Sequence, residues 1–188
     1  MECMVRWAIL GLLFPLFGTP SADYLSIKRK FDLIESERLR PGTRVTLTQR
    51  ELNAYVANEV HEYAPQGVRN TQVELGDGSA TGAALIDFLK LKQTAGQSPG
   101  WVMSKLLAGE KPVRVTARIQ SASGRAQVDV ERVEIAGLVI EGQMLDYLIR
   151  NYLIPQFPEA KVGEKFELAH HIDHLDVKPD AVGVVLSR

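Results

Sequence analysis

Strict alternation of apolar and polar residues in the second half of the chain constrains the fold more than any other feature. In "PVRVTARIQ" the apolar residues Val113, Val115, Ala117 and Ile119 alternate with polar ones. Since successive side chains of a strand point to opposite faces, this strand has one apolar and one polar face. The pattern predicts a sheet that is packed on one face and solvated on the other.

The segments beside this strand extend the sheet through short turns. A Gly-Asp-Gly turn at 76–78 separates two β-rich runs, and "SASG" leads into the next run, "RAQVDVERVEIAGLVIEG". The alternation slips at Glu131-Arg132 and returns at Val133, which predicts a β-bulge and a bent strand. Near the C-terminus, "KPDA" predicts a turn with proline at its second position. These short connections predict antiparallel pairing.

A well-delimited helix precedes the sheet, in "LTQRELNAYVANEVHEYAPQG". Thr48 and Glu51 form a capping box, and Leu47 and Leu52 occupy the hydrophobic-staple positions around it. Pro65 follows the helix and ends it. One apolar stripe runs along its face, formed by Leu52, Tyr55, Val56, Val60 and Tyr63. This stripe predicts a helix with one buried face.

Two further segments have helical spacing. Ile27, Phe31 and Ile34 predict a short amphipathic helix near the N-terminus. In "QMLDYLIRNYLIPQFP" an unusually wide apolar stripe predicts a helix of about four turns, which Pro155 and Pro158 end. The stripe comprises Met144, Leu145, Leu148, Ile149, Tyr152 and Leu153.

The N-terminal segment differs in composition from the rest of the chain. "MECMVR" carries one arginine, an apolar run follows from Trp7 to Gly18, and small residues precede Asp23. This order predicts a signal peptide at 1–22, and an uncleaved membrane anchor is the alternative. A helical lead-in at 23–42 and a single α+β domain at 43–188 are expected to follow. Because the only cysteine, Cys3, lies in the first segment, we expect a cysteine-free exported protein of the bacterial periplasm or cell envelope.

The remaining residues do not form a recognisable catalytic set. The chain contains no P-loop and no Rossmann glycine pattern, and we predict a protein that is not an enzyme and needs no cofactor. A net charge of −1 predicts no nucleic-acid partner. Asp87 lies in an apolar run, where it is either a buried acid or a solvated residue at a strand edge.

A cluster of histidines in "FELAHHIDHLDV" raises the question of a metal site. His170, His171 and His174 lie there with two aspartates. In a straight strand His170 and His174 would be about 13 Å apart, too far to share one ion. No glycine or proline favours a turn at Ala169–His171, so we predict a strand and no metal site. Metal-dependent hydrolysis remains an alternative only if the three side chains converge.

The order of elements resembles the tubular lipid-binding (TULIP-like) proteins of bacterial envelopes. The resemblance rests on three segments: "VTLTQRELNAYVANEV", "VELGDGSATGAALIDF" and "LDYLIRNYLIPQFPEAKVGEKFELAHHIDHLDVKPDAVGVVL". It implies a curved antiparallel sheet wrapped around one long amphipathic helix, with a second capped helix and an apolar groove that holds acyl chains. Small residues at Ala80, Gly82, Ala83 and Ala84 would leave room near the interior of the sheet.

Two functions follow as hypotheses. The first is binding of a lipid or other long apolar ligand, with transient membrane contact. The second is an adaptor role, in which the domain binds another envelope protein through a sheet edge or an exposed helix. The predicted ligand lining is Leu52, Val56, Val60, Ile86, Phe88, Leu145, Leu148, Ile149 and Tyr152.

Overall fold

The computed structural model of the chain describes residues 21–63, 67–88, 90, 109–150 and 161–187. Within these ranges the helices are α1 (Ala22–Glu35), α2 (Gln49–Tyr63) and α3 (Gly142–Leu148). The strands are β1 (Arg44–Thr48), β2 (Val68–Gly76), β3 (Ser79–Asp87), β4 (Glu110–Ala122), β5 (Arg125–Ile135), β6 (Leu138–Ile140), β7 (Lys165–Glu167), β8 (Ile172–Lys178) and β9 (Ala181–Leu186). All of these strands pair antiparallel, which confirms the predicted α+β class with antiparallel sheets.

The described strands form two sheets. The small sheet has the order β1-β9-β8, and the large sheet has the order β2-β3-β4-β5-β6, with β7 also paired to β5. The predicted bulge is confirmed, because Thr116 pairs with Arg132 and Ala117 with Val130, which leaves Glu131 without a partner in the ladder. A hairpin turn at Ala136-Gly137, with φ of 53° and 84°, was not predicted and separates β5 from β6.

The main core lies between the two N-terminal helices and the small sheet. Ser21 caps α1, since its Oγ accepts a hydrogen bond from the Tyr24 amide at 3.2 Å. The predicted helical spacing is confirmed by Ile27 and Ile34, which are buried, and by Phe31, which packs against them. The buried members of the core are Ile27, Ile34, Leu47 and Val184.

A buried carboxylate links α1, β1 and α2. Glu51 closes the predicted capping box, because Oε2 accepts from the Thr48 amide at 2.8 Å and the Glu51 amide donates to Thr48 Oγ1 at 3.3 Å. The carboxylate also receives hydrogen bonds from Ser26 Oγ at 2.6 Å and Lys30 Nζ at 2.7 Å. Burial raises the pKa of Glu51, but the hydrogen bonds from Lys30, Ser26 and Thr48 outweigh it and lower the pKa to about 2.

The outer edge of β8 is closed by the hairpin ends of the large sheet. The amides of Gly78 and Gly124, in two of the hairpin turns, donate to carbonyls of β8 at 3.0 and 2.8 Å. Between these bonds, Ser121 Oγ donates to the Leu175 carbonyl at 3.0 Å and accepts from the Leu175 amide at 2.7 Å. The small sheet therefore meets one end of the large sheet.

The outer edge of β2 is closed by side-chain amides of α2. Asn53 accepts from the Val73 amide at 2.7 Å and donates to the Val73 carbonyl at 2.9 Å, as a neighbouring strand would. Gln49, one turn earlier, accepts from the Leu75 amide at 3.0 Å. An unpaired strand edge can pair with a strand of another chain, so these side chains protect the edge of β2 against such association. The apolar stripe of α2 did not reveal them.

We expect Asn53→Ala to destabilise the protein by about 2 kcal/mol, because it leaves the Val73 amide and carbonyl without partners. Asn58→Ala is the matched control, since Asn58 is exposed on the same helix and donates only to the Ala54 carbonyl. Chemical denaturation of both variants measures the difference. Equal stabilities would show that Asn53 does not stabilise the edge of β2.

The predicted strand through the histidines is wrong at its start. A turn at Ala169–His171 separates β7 from β8, and the Ile172 amide closes it on the Ala169 carbonyl at 3.2 Å. His170 and His171 both have φ of 55°. The left-handed region is uncommon for residues other than glycine, but histidine is enriched among the exceptions, so the turn needs no glycine.

Candidate functional site

The middle of the large sheet carries an open space on its apolar face. Gly82 lies in β3 between Val73 of β2 and Val115 of β4, and the row continues through Val133 to Ile140. Directly paired residues share a face, so these five residues form one apolar row across the sheet. We call them the apolar row. It spans about 19 Å at ~4.8 Å per strand.

Gly82 is exposed, although it lies in the interior of a strand with strands paired on both sides. A Cβ added there would meet no heavy atom of the described residues within 4 Å. Glycine in a strand weakens the strand, and it often marks a place where a ligand or another chain approaches closely. Gly82 is therefore a point of the row with free space above it.

Other elements border the apolar row. On one side, Ser121 lies on the same face of β4 as Val115, and its hydroxyl hydrogen-bonds Leu175 of β8. The small sheet therefore lies beyond the Ser121 end of this face. On the β6 side, α3 contacts β5, and Leu145 of α3 is 4% exposed. The apolar row thus lies between the small sheet and α3, and within it no side chain is titratable.

The predicted lining residues fall in different places. Leu52 packs against the main core with Leu47. Val56 and Val60 are half-buried on α2, which packs beside β2. Half-buried Ile86 and Phe88 lie at the end of β3 and just after it, buried Leu145 lies on α3, and half-buried Ile149 follows α3. The Leu148 side chain and Tyr152 lie outside the described residues.

The run of small residues in the sequence predicted free space at Gly82. Ala80 and Ala84 share its face, whereas Ala83 pairs with Gln72 and Arg114 on the opposite face. The ligand lining predicted from the sequence did not include Val73, Val115, Val133 and Ile140. The alternation pattern was the signal that could have identified them, since it placed Val115 on the apolar face.

The opposite face of the large sheet is solvated and dense in ion pairs. A depression of about 200 Å³ is lined by Thr81, Arg114, Thr116, Arg132 and Glu134. Its arginines are already paired, Arg114 with Glu74 at 2.7 Å and Arg132 with Glu134 at 3.9 Å. Asp87 is a half-buried acid that pairs with Lys90 at 3.4 Å.

The three histidines do not come together at one point. His170 and His171 lie 3.4 and 3.5 Å from the Glu37 carboxylate, and His174 Nδ1 lies 2.7 Å from Asp173 of the same strand. Across the part of the chain that the structure describes, no group of three or more His, Cys, Asp or Glu side chains is arranged to hold a metal ion.

Within the described residues, no helix has the length and apolar character needed to cross a membrane.

Comparison of the chain with models of known protein families gives no match. Comparison with curated protein sequences gives none either.

Proposed function

We propose that this chain is an exported, non-enzymatic domain that holds a lipid or another long apolar ligand against the apolar row. The observation that carries the proposal is Gly82, an exposed glycine with open space above it in the middle of an apolar sheet face. The envelope location and the transport of lipid between membranes belong to the proposal. So does the finer architecture, a curved sheet around a long amphipathic helix.

The energetics favour a ligand with a long hydrocarbon chain. Burying each methylene contributes about 0.8 kcal/mol, so a chain of many carbons needs few polar contacts. The row offers aliphatic side chains and no charge, which suits such a ligand. Of the predicted lining residues, Ile86, Phe88, Leu145 and Ile149 border the ligand in this proposal, with α3 closing the β6 side. Leu52 stabilises the main core instead.

The test is native mass spectrometry of the full-length chain, purified from cells without detergent. We expect additional mass that organic extraction removes, and uptake of phospholipid or fatty acid by the extracted protein. A bare polypeptide mass with no uptake of either added lipid would contradict ligand binding.

A second function, an adaptor that binds an envelope protein, is favoured by a separate observation. Leu138, Met144 and Tyr147 are 61%, 62% and 55% exposed, on β6 and α3. β6 is the last strand in the order of the large sheet, and exposed apolar residues at a sheet edge suit protein contacts. A chain without lipid that co-purifies stoichiometrically with one envelope protein would support the adaptor over lipid binding.

A further inference from the structure

A second cavity lies at the far end of β5, away from the apolar row. It is a depression of about 630 Å³ lined by Arg125, Lys161, Lys165, Phe166 and Glu167. We call it the basic depression. Among the described residues, its lining holds three cations and one carboxylate, so their net charge is +2.

The pairing of β5 and β7 brings these residues together. Arg125 follows the Ser123-Gly124 turn and lies opposite Glu167, and Gln127 lies opposite Lys165. Lys161 precedes Val162, which bridges to Val128 of β5. The cations therefore come from two chain segments that sheet pairing holds in place.

The cations of the basic depression lack the carboxylate partners that Arg69, Arg114, Arg118 and Arg132 of the large sheet have. Arg114 and Arg118 pair with carboxylates at 2.7 and 2.6 Å. Within the described residues, Arg125, Lys161 and Lys165 make no ion pair, although Glu167 lines the same depression. Like charges held around one cavity repel each other, and a bound anion relieves that repulsion.

Phe166, an apolar residue, also lines the depression. Along β7, Lys165 and Glu167 point to one face of the sheet and Phe166 to the other. Phe166 pairs with Ala126, which is 2% exposed and lies on the apolar face. The basic depression thus borders both the polar and the apolar face, as an amphiphile with a charged end requires.

We infer that the basic depression binds the oxyanion of an anionic amphiphile, a phosphate ester or a chemically similar headgroup. This inference rests on the proposed function, since it names the class of apolar ligand. The guanidinium of Arg125 and the ammonium groups of Lys161 and Lys165 contact the oxyanion, and Phe166 packs against the first part of the chain.

The test compares two detergents with the same alkyl chain, dodecyl phosphate and the uncharged dodecyl maltoside, below their micelle concentrations. Calorimetry is expected to give about tenfold tighter binding of dodecyl phosphate, because each of the three exposed ion pairs contributes only modestly and Glu167 partly offsets them. The combined variant Arg125→Gln, Lys161→Gln, Lys165→Gln should lose this preference and bind dodecyl maltoside as the unchanged protein does.

A matched variant controls for net charge. Arg29→Gln, Arg38→Gln, Arg40→Gln removes the same charge from three exposed arginines that make no ion pair within the described residues. It should keep the tenfold preference. If both triple variants lose the preference equally, the overall charge causes it and the site is wrong.

The remaining outcomes separate this inference from the proposed function. Equal binding of the two detergents by the unchanged protein overturns the oxyanion site and leaves lipid binding standing. Inorganic phosphate that binds as tightly as dodecyl phosphate overturns the amphiphile, because the site then takes a free anion. Failure to bind either detergent contradicts lipid binding itself, and inorganic phosphate alone then tests the site.

Discussion

Glu51→Gln is expected to lower the free energy of unfolding by about 3 kcal/mol at pH 7. The pKa of Glu51 falls from its usual 4.5 to about 2 in the folded protein, and each pKa unit corresponds to about 1.4 kcal/mol. The ionised carboxylate therefore contributes about 3 kcal/mol, which glutamine cannot supply. The variant also leaves Lys30, which is half-buried, without its anionic partner.

The pH dependence gives this prediction a distinct signature. Because the folded pKa is lowered, the contribution of Glu51 is fully present above pH 4.5 and is lost as the pH falls toward 2. The stabilities of the unchanged protein and Glu51→Gln should converge over this range in denaturant titrations. Glu35→Gln is the control, since Glu35 is exposed at the end of α1 and its loss should cost within about 0.5 kcal/mol. A constant difference between the unchanged protein and Glu51→Gln at all pH values would contradict the assignment.

Gly82→Phe is expected to weaken binding of an apolar ligand roughly tenfold, by displacing about two methylenes at ~0.8 kcal/mol each. The new side chain enters open space, since no heavy atom of the part of the chain that the structure describes lies within 4 Å of its Cβ position. The backbone φ of Gly82 lies outside the left-handed region, so phenylalanine at this position is compatible with the strand. Uptake of fatty acid, measured by native mass spectrometry, reads out the effect.

Ala83→Phe is the matched control for this substitution. Ala83 is the next residue of β3, and it points to the polar face between Gln72 and Arg114. Ala83→Phe should leave ligand uptake unchanged. If both variants bind equally well, the ligand does not lie on the apolar row, and if only Ala83→Phe loses binding, it lies on the opposite face.

Much of the secondary structure was predictable because its signals are local. The capping box of Thr48 and Glu51 places the start of α2, and the slipped alternation places the bulge at Glu131. The turn at Ala136-Gly137 was missed because the alternation resumes on both sides of it. The turn at His170-His171 was missed because its left-handed residues are not glycine.

The candidate site was predictable only in part. The run of small residues indicated free space near Gly82, but which of those residues share its face depends on strand pairing. Leu52 has the same periodic spacing as Val56, yet it packs in the main core. The basic depression was not found at all, because Arg125 and Lys165 are 40 residues apart in the chain and meet only through the pairing of β5 and β7.

By itself, the sequence determined the kinds of elements and their faces, because capping, turn chemistry and side-chain alternation act over a few residues. Tertiary structure decided which faces meet. Asn53 and Ser121 have no visible role in the sequence, yet they close the edges of β2 and β8 and so set how α2 and the small sheet lie against the large sheet. Such contacts join residues that are distant along the chain, and no local pattern specifies them. The open space above Gly82 is decided in the same way, since strand pairing and packing set which of the described elements approach the centre of the apolar row.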